Sequence, residues 1–314
     1  MITSILHMSE ISNVILLGIV QGLTEFLPIS SSGHLILARE FLTIQIGNDL
    51  AFDAVLQLAT TLAVFVYFRK DILGYIENFF FIITKRGDVV EKKERTLLYA
   101  VIIGTIPGVI AGLFLESSME TIFRNTNLVA LTLIVGALVM VAAELVFKQR
   151  LSSPKRSKAK LSGTHVELSK DETLTKDIHS RFHENDSNEN NELTIKKGLL
   201  VGLFQSLALV PGFSRSGMTI SGGLFAGLSR EDATRFSFLL AFPILVGSGA
   251  KKILDLAQDG VLVSSGLELF AGAIVAFIVG IFAIHFLLTY LKTHTLYVFV
   301  WYRVVLAVVI LLMF

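Results

Sequence analysis

Residues 18–37, GIVQGLTEFLPISSSGHLIL, are apolar enough to enter a bilayer yet cannot form one continuous helix. Pro28 lacks an N–H and clashes with the preceding turn, so a helix must stop there. Three serines and a glycine follow before the apolar run resumes at Leu35. The stretch reads as half-helix, break, half-helix. In a bilayer such a break is tolerated only where it is buried in protein or lines a wet cavity. Gln21 and Glu25 lie four apart and share a helix face. An acidic residue at such depth is costly and is a functional candidate by default. The second half-helix starts at the serines, so its free N–H groups and positive dipole end can hold an anion. Glu25, His34 and the hydroxyls of Ser30, Ser31 and Ser32 beside an anion hole are parts for phosphoryl chemistry. Taken alone, the serines would serve equally as ordinary helix caps.

The chain as a whole supports a membrane setting. Its 314 residues are 53% hydrophobic and 17% charged, which predicts an all-α polytopic membrane protein. A net charge of +1 implies no nucleic-acid partner. The lack of cysteine excludes disulfides, thiolate metal sites and cysteine nucleophiles. MITSILHMSEIS carries neither a basic start nor a small-residue cleavage pattern, so no removable signal peptide is expected.

Residues 11–27 and 31–42 are the two half-helices, each too short for a hydrocarbon core that needs about 20 helical residues. They predict a re-entrant hairpin. A second hairpin, 198–228, breaks around PGFSRSG between 198–210 and 216–228. About six full spans are expected, at 50–68, 96–115, 126–147, 231–250, 266–289 and 295–314. The aromatic stretch 72–84 is expected along the interface. Lys251, Lys252, Asp255 and Asp259 are expected in a loop. The polar tract 148–197 cannot support a core and predicts a disordered loop. Its His165, His179 and His183 read as solvated rather than as metal ligands. The chain thus divides into a first membrane repeat (1–147), a polar loop (148–197) and a second membrane repeat (198–314). Arg69, Lys70, the 85–95 cluster, Lys148, Arg150, Lys155, Arg156, Lys196, Lys197 and Lys292 fall on one side, assigned to the cytoplasm. Lys251 and Lys252 fall on the other and argue mildly against.

A shift of 184 positions aligns the two broken elements. Gly18 meets Gly202, Gln21 meets Gln205, Ser30 meets Ser214, Ser32 meets Ser216 and Gly33 meets Gly217. In this layout the hairpins enter from opposite sides, an inverted-topology repeat whose ligand site lies where the discontinuous helices meet. The second break adds Arg215, a planar, always charged group able to bind phosphate through two parallel hydrogen bonds.

QGLTEFLPISSSGHL and PGFSRSGMTISGGLFAGLSREDATRFSFLLAFP, in that order, resemble the two motifs of the undecaprenyl-diphosphate phosphatase family, the BacA-type bacitracin resistance proteins. The likeness covers the membrane part of the chain. Gln21 stands where many members carry Glu, and the 148–197 loop looks longer than usual. The resemblance implies removal of the terminal phosphate from a C55-type polyprenyl diphosphate at the outer face of the cell membrane. The product would be the monophosphate carrier lipid recycled for envelope glycan synthesis. Carried over position by position, it implies Glu25, Ser31, His34 and Arg215 as catalytic residues. Gln21, Ser30, Ser32, Gly33, Ser214, Ser216 and Gly217 would line the substrate. A divalent cation, magnesium or calcium, on Gln21 and Glu25 is the candidate cofactor, with no organic cofactor. The partners are the polyprenyl lipid, the bilayer and, as an open alternative, a second copy in a homodimer.

Three chemical routes stay open in the sequence. Ser31 could attack phosphorus with His34, three residues on, taking its proton and Glu25 orienting His34. His34 could attack directly, or His34 or Glu25 could activate water. The rival from another class is a transporter of an anionic polyprenyl lipid, since inverted repeats suit alternating access equally. Glu25 argues against it, because a carboxylate beside a phosphate repels the ligand unless it works on a proton or a metal.

Overall fold

The computed structural model describes residues 2–42, 49–84, 90–121, 125–152, 192–258 and 266–313. These form eleven helices, and no strand occurs among the described residues. In chain order they are α1 (Ile2–Phe26), α2 (Ser31–Leu42), α3 (Asp49–Tyr67), α4 (Arg69–Ile83), α5 (Lys92–Thr121) and α6 (Thr126–Ser152). After residues 153–191 come α7 (Ile195–Leu207), α8 (Arg215–Phe225), α9 (Arg230–Gln258), α10 (Gly266–Thr293) and α11 (Tyr297–Met313).

Both expected breaks are present. α1 stops at Phe26, two residues before Pro28, and α2 starts at Ser31. α7 stops at Leu207, and α8 starts at Arg215 after the PGFS turn. Four helices are long and apolar enough to cross a membrane, within α5, α6, α9 and α10, which makes this a multi-pass membrane protein. Not every one of the six expected spans meets this measure among the described residues. α3 bends by 84° into α4, so the two together make at most a fifth span, and α11, at Tyr297–Met313, is one of the shorter apolar helices. Two boundaries also move. Residues 148–152 extend α6 instead of opening the loop, and residues 251–258, expected in a loop, continue α9. Asp259, His165, His179, His183 and the rest of 153–191 lie outside the described residues.

Helix packing places the breaks at the centre. α1 packs on α10, and α5 packs on α7. Each pair crosses at glycine. A Cβ on Gly18 would lie 2.7 Å from the Gly272 carbonyl oxygen, and one on Gly202 would lie 2.1 Å from that of Gly104. Without a hydrophobic drive between helices in lipid, such close backbone approach is a main source of association. α8 packs against α6, α7 and α9. Ser216 through Leu224 are all buried, so this short helix is sheathed in protein and satisfies the condition for a break at membrane depth. Met218, Ile220 and Leu224 join Phe26, Met140 and Leu287 in the largest apolar cluster. Hydroxyls inside the bundle fold back on their own helices: Thr24 donates to the Val20 carbonyl, Thr61 to Gln57 and Thr105 to Val101.

One buried carboxylate fastens the far end of the bundle. Glu144 of α6, 2% exposed, accepts from the guanidinium of Arg230 and from the Leu296 N–H in the α10–α11 turn. A lone buried carboxylate would be costly, and the paired one ties three segments together.

Gly202→Ala should therefore lower the apparent melting temperature in detergent by several degrees, since overpacking costs roughly 1–3 kcal/mol. Gly112→Ala, where an added Cβ meets nothing within 4 Å, should leave it unchanged or slightly raised. Equal melting temperatures for the two variants would show that the α5–α7 crossing is not set by glycine.

Candidate active site

The two breaks are built alike. Ser30 and Ser214 are the only non-glycine residues with positive φ among the described residues, at 78° and 67°. Each caps the helix that follows. Ser30 Oγ accepts from the Gly33 N–H at 3.3 Å, and Ser214 Oγ accepts from the Gly217 N–H at 3.2 Å. The carbonyls of the same two serines accept from the next amides, His34 and Met218. A left-handed serine is strained, and such strain persists only where the surroundings over-determine it. Here they do, because the breaks are bonded to each other. The Gly212 N–H donates to Ser30 Oγ at 3.1 Å, and Ser216 Oγ donates to the Leu27 carbonyl at 3.1 Å. Gly212 has φ 96°, and a Cβ there would lie 1.9 Å from Thr132 Oγ1. That hydroxyl holds the Pro211 carbonyl at 2.6 Å.

Glu25 is the hub of the polar centre. It is 8% exposed and forms an ion pair with Arg215 across the two breaks. Its Oε2 accepts from Gln21 Nε2 at 3.1 Å and from Ser31 Oγ at 2.5 Å. The expected pairing of Ser31 with His34 is not formed. Ser31 stands at the first position of α2, from where its hydroxyl reaches across the break to Glu25. The His34 side chain leans back toward the helix start, as helical side chains do, and places Nδ1 2.6 Å from the Ser30 carbonyl oxygen. Its Nε2 lies 2.6 Å from the Tyr302 hydroxyl. Glu25 therefore contacts Ser31 and Arg215, and does not orient His34.

The remaining expected residues divide by task. Ser30 and Ser214 spend their oxygens on caps, and Ser216 on Leu27. Gly33 and Gly217 give their N–H groups to those caps and are packed tightly. A Cβ on Gly33 would meet Val129 at 3.0 Å, and one on Gly217 would meet Ser214 at 3.3 Å. Ser32 is exposed, with Oγ 3.4 Å from Ser30 Oγ. The amides at the very start of each helix, Ser31 and Ser32 on α2 and Arg215 and Ser216 on α8, have no intrahelical acceptor. They are the donors that an anion between the breaks would meet.

Sequence reasoning missed Tyr302 and Arg303, neighbours on α11. Arg303 is 0% exposed, and every partner it has is a carbonyl. It donates to Leu133 and Thr132 on α6, to Pro28 in the first break, and to Gly212 and Phe213 in the second, at 2.8–3.3 Å. A Cβ on Gly136 would lie 2.1 Å from its Nη2, so that glycine makes room for the guanidinium. A signal existed: Arg303 is the one charged residue in YVFVWYRVVLAVVILLM, and an ionisable group in such a helix warrants a role. No group of three or more His, Asp or Glu among the described residues could hold a metal alone. Both carboxylate oxygens of Glu25 are already engaged, Oε1 by Arg215 and Oε2 by Gln21 and Ser31.

Arg303→Met should cost several kcal/mol of stability, since each buried carbonyl left without a donor costs about 1–3 kcal/mol. Arg303→Lys should recover part of it, because an ammonium offers three donors and not the planar fork. A melting temperature for Arg303→Met equal to that of the unsubstituted protein would refute the account of the clamp.

Comparison with known proteins agrees with this architecture. Residues 14–309 match the family described as "Bacitracin resistance protein BacA". The chain is 35% identical to a protein of Methanosphaera stadtmanae named "Undecaprenyl-diphosphatase", over 98% of this chain and 99% of that protein. Proteins of the same name from Myxococcus xanthus and Chloroherpeton thalassium are 39% and 38% identical, covering 95% and 97% of this chain and 87% and 96% of theirs. With two serine-capped breaks bonded to each other inside a multi-pass helical bundle, and a match over nearly its whole length, the chain belongs to the BacA bacitracin resistance protein family.

Proposed function

We propose that this chain hydrolyses undecaprenyl diphosphate, or a similar polyprenyl diphosphate, to the monophosphate carrier lipid and phosphate. The observation that carries this reading is the Glu25–Arg215–Ser31 cluster between two helix N-termini, in a chain whose relatives are named for that activity. An isoprenoid hydrocarbon tail suits a bilayer, and the diphosphate suits the opposed N-termini. The terminal phosphate meets Arg215 and the free amides of both helices. The Ser31 oxygen attacks the terminal phosphorus, its proton passes to Glu25, and the bond to the bridging oxygen breaks. The polyprenyl monophosphate leaves with that electron pair. Water then cleaves the phosphoserine and releases phosphate, with His34 as the base. Catalysis of this kind is mostly positioning and charge stabilisation. Glu25 favours hydrolysis over transport, because its carboxylate sits 2.5 Å from a hydroxyl it can deprotonate.

The same reading extends to the whole chain. Two membrane repeats of inverted topology, 1–147 and 198–314, are joined on the cytoplasmic side by the polar segment 148–197, whose first residues extend α6 and whose last open α7. The paired positive-φ serine caps and the paired glycine crossings support the repeat. The protein resides in the cell membrane, with the site open to the outer face. Gln21 and Glu25 would hold a magnesium or calcium ion, which would supply neutralisation of phosphate charge. Multi-angle light scattering in detergent distinguishes a monomer from the homodimer this reading admits.

Purified protein in detergent should release phosphate from undecaprenyl diphosphate. Glu25→Gln, His34→Ala and Arg215→Ala should each lower turnover by about 10²–10³ while folding is retained. Ser31→Ala should lose far more turnover than Ser32→Ala, and rapid acid quench should trap phosphate on Ser31. Phosphate found on His34 would replace the serine route with direct attack by the histidine. EDTA should lower the rate, and magnesium or calcium should restore it; full activity in EDTA removes the metal from the reading.

A further inference from the structure

Tyr302 lies far from both sequence motifs, yet it holds the one ring nitrogen of His34 that faces away from the helix. The Ser30 carbonyl can only accept, so the 2.6 Å contact favours a proton on Nδ1 of His34. In the neutral ring Nε2 is then a lone pair, and the Tyr302 hydroxyl donates to it at 2.6 Å. The two rings lie nearly parallel, 11° apart in plane with centroids at 5.5 Å, so Tyr302 also fixes the plane of the imidazole. Tyr302 itself is anchored by its neighbour. Arg303 is clamped to the carbonyls of both breaks, which sets the depth and rotation of α11 against α2. Among the described residues, the Tyr302 side chain has its hydrogen bond to His34.

We propose that Tyr302 is a positioning residue for His34, selecting the tautomer with Nε2 unprotonated and aiming that nitrogen for proton transfer. This rests on the reading of His34 as a base given above. The physical logic is that a histidine can work as a base only through the nitrogen that lacks a proton, and the partner of the other nitrogen decides which one that is. In this site the two partners act together. The Ser30 carbonyl favours the proton on Nδ1, and the tyrosine hydroxyl favours the lone pair on Nε2 while its stacked ring restrains the imidazole plane. When a water replaces the tyrosine hydroxyl at Nε2, the ring is already in register, so no reorganisation is needed as the water proton transfers to Nε2 and its oxygen attacks phosphorus.

The test pairs kinetics with a direct reading of the tautomer. Tyr302→Phe keeps the ring stack and removes the hydroxyl. It should lower kcat on undecaprenyl diphosphate about tenfold and leave KM within about twofold. In a His34→Gln background the same substitution should cost nothing further, because residues acting through one group do not add. Histidine-labelled protein should show His34, recognised as the signal lost in His34→Gln, as a single Nδ1–H tautomer that becomes a mixture in Tyr302→Phe. Wild-type kcat in Tyr302→Phe, an equal tenfold loss in both backgrounds, or an unchanged tautomer would each overturn the proposal. The underlying reading fails differently: His34→Gln alone would then turn over at the wild-type rate. If the rate of His34→Gln is too low to measure, the tautomer decides.

Discussion

Arg303 solves the problem that two broken helices create. Each break removes backbone hydrogen bonds in a place where water cannot replace them, and orphaned carbonyls there cost several kcal/mol apiece. A guanidinium has donors in a flat fork and no acceptor. Placed on α11 between the breaks, it binds Pro28, Gly212 and Phe213 at once, and Thr132 and Leu133 on α6 as well. With those carbonyls satisfied by one side chain, the turns before α2 and α8 are held in place beside the N–H groups that start the two helices. The glycines at 136 and 212 and the left-handed serines at 30 and 214 follow from the same close fit.

The two breaks share a scaffold and differ in chemistry. Both have a serine cap, a second serine two residues on and a glycine at the third. Glu25, however, corresponds to Leu209 under the 184-residue shift, and Arg215 corresponds to Ser31. The acid comes from one half and the base-paired cation from the other, so neither half makes the site alone. The glutamines record the difference. Gln21 donates to Glu25, whereas Gln205 is 3% exposed with no hydrogen-bond partner for either amide atom. A buried amide without partners is costly, and its twin is satisfied only because an acid sits one turn away.

The Glu25–Arg215 pair also bears on how the site is poised. An ion pair out of water gains little net stability, because desolvation offsets attraction. Removing either partner would leave a buried charge, so the pair is held together by mutual need.

Much of this protein is legible in its sequence, because the relevant physics is local. Pro28 with the serines and glycine after it, and PGFSRSG, mark the helix breaks, whereas Pro107 and Pro243, with no Ser-x-Ser-Gly after them, stand inside helices. Apolar runs of sufficient length mark the spans in α5, α6, α9 and α10, and an acid, an imidazole and an arginine in such surroundings mark themselves as candidates. The tertiary structure alone decided the partners. Helical spacing puts Ser31 and His34 on one face, but it cannot say that Ser31 turns back over the helix start to Glu25 while His34 turns to Ser30 and Tyr302. It also cannot show that an arginine at 303 reaches carbonyls at 28 and 212. Those contacts depend on how helices far apart in the chain cross, and crossing is set by the fit of side chains against backbone, as at Gly104 and Gly202 and around the guanidinium of Arg303.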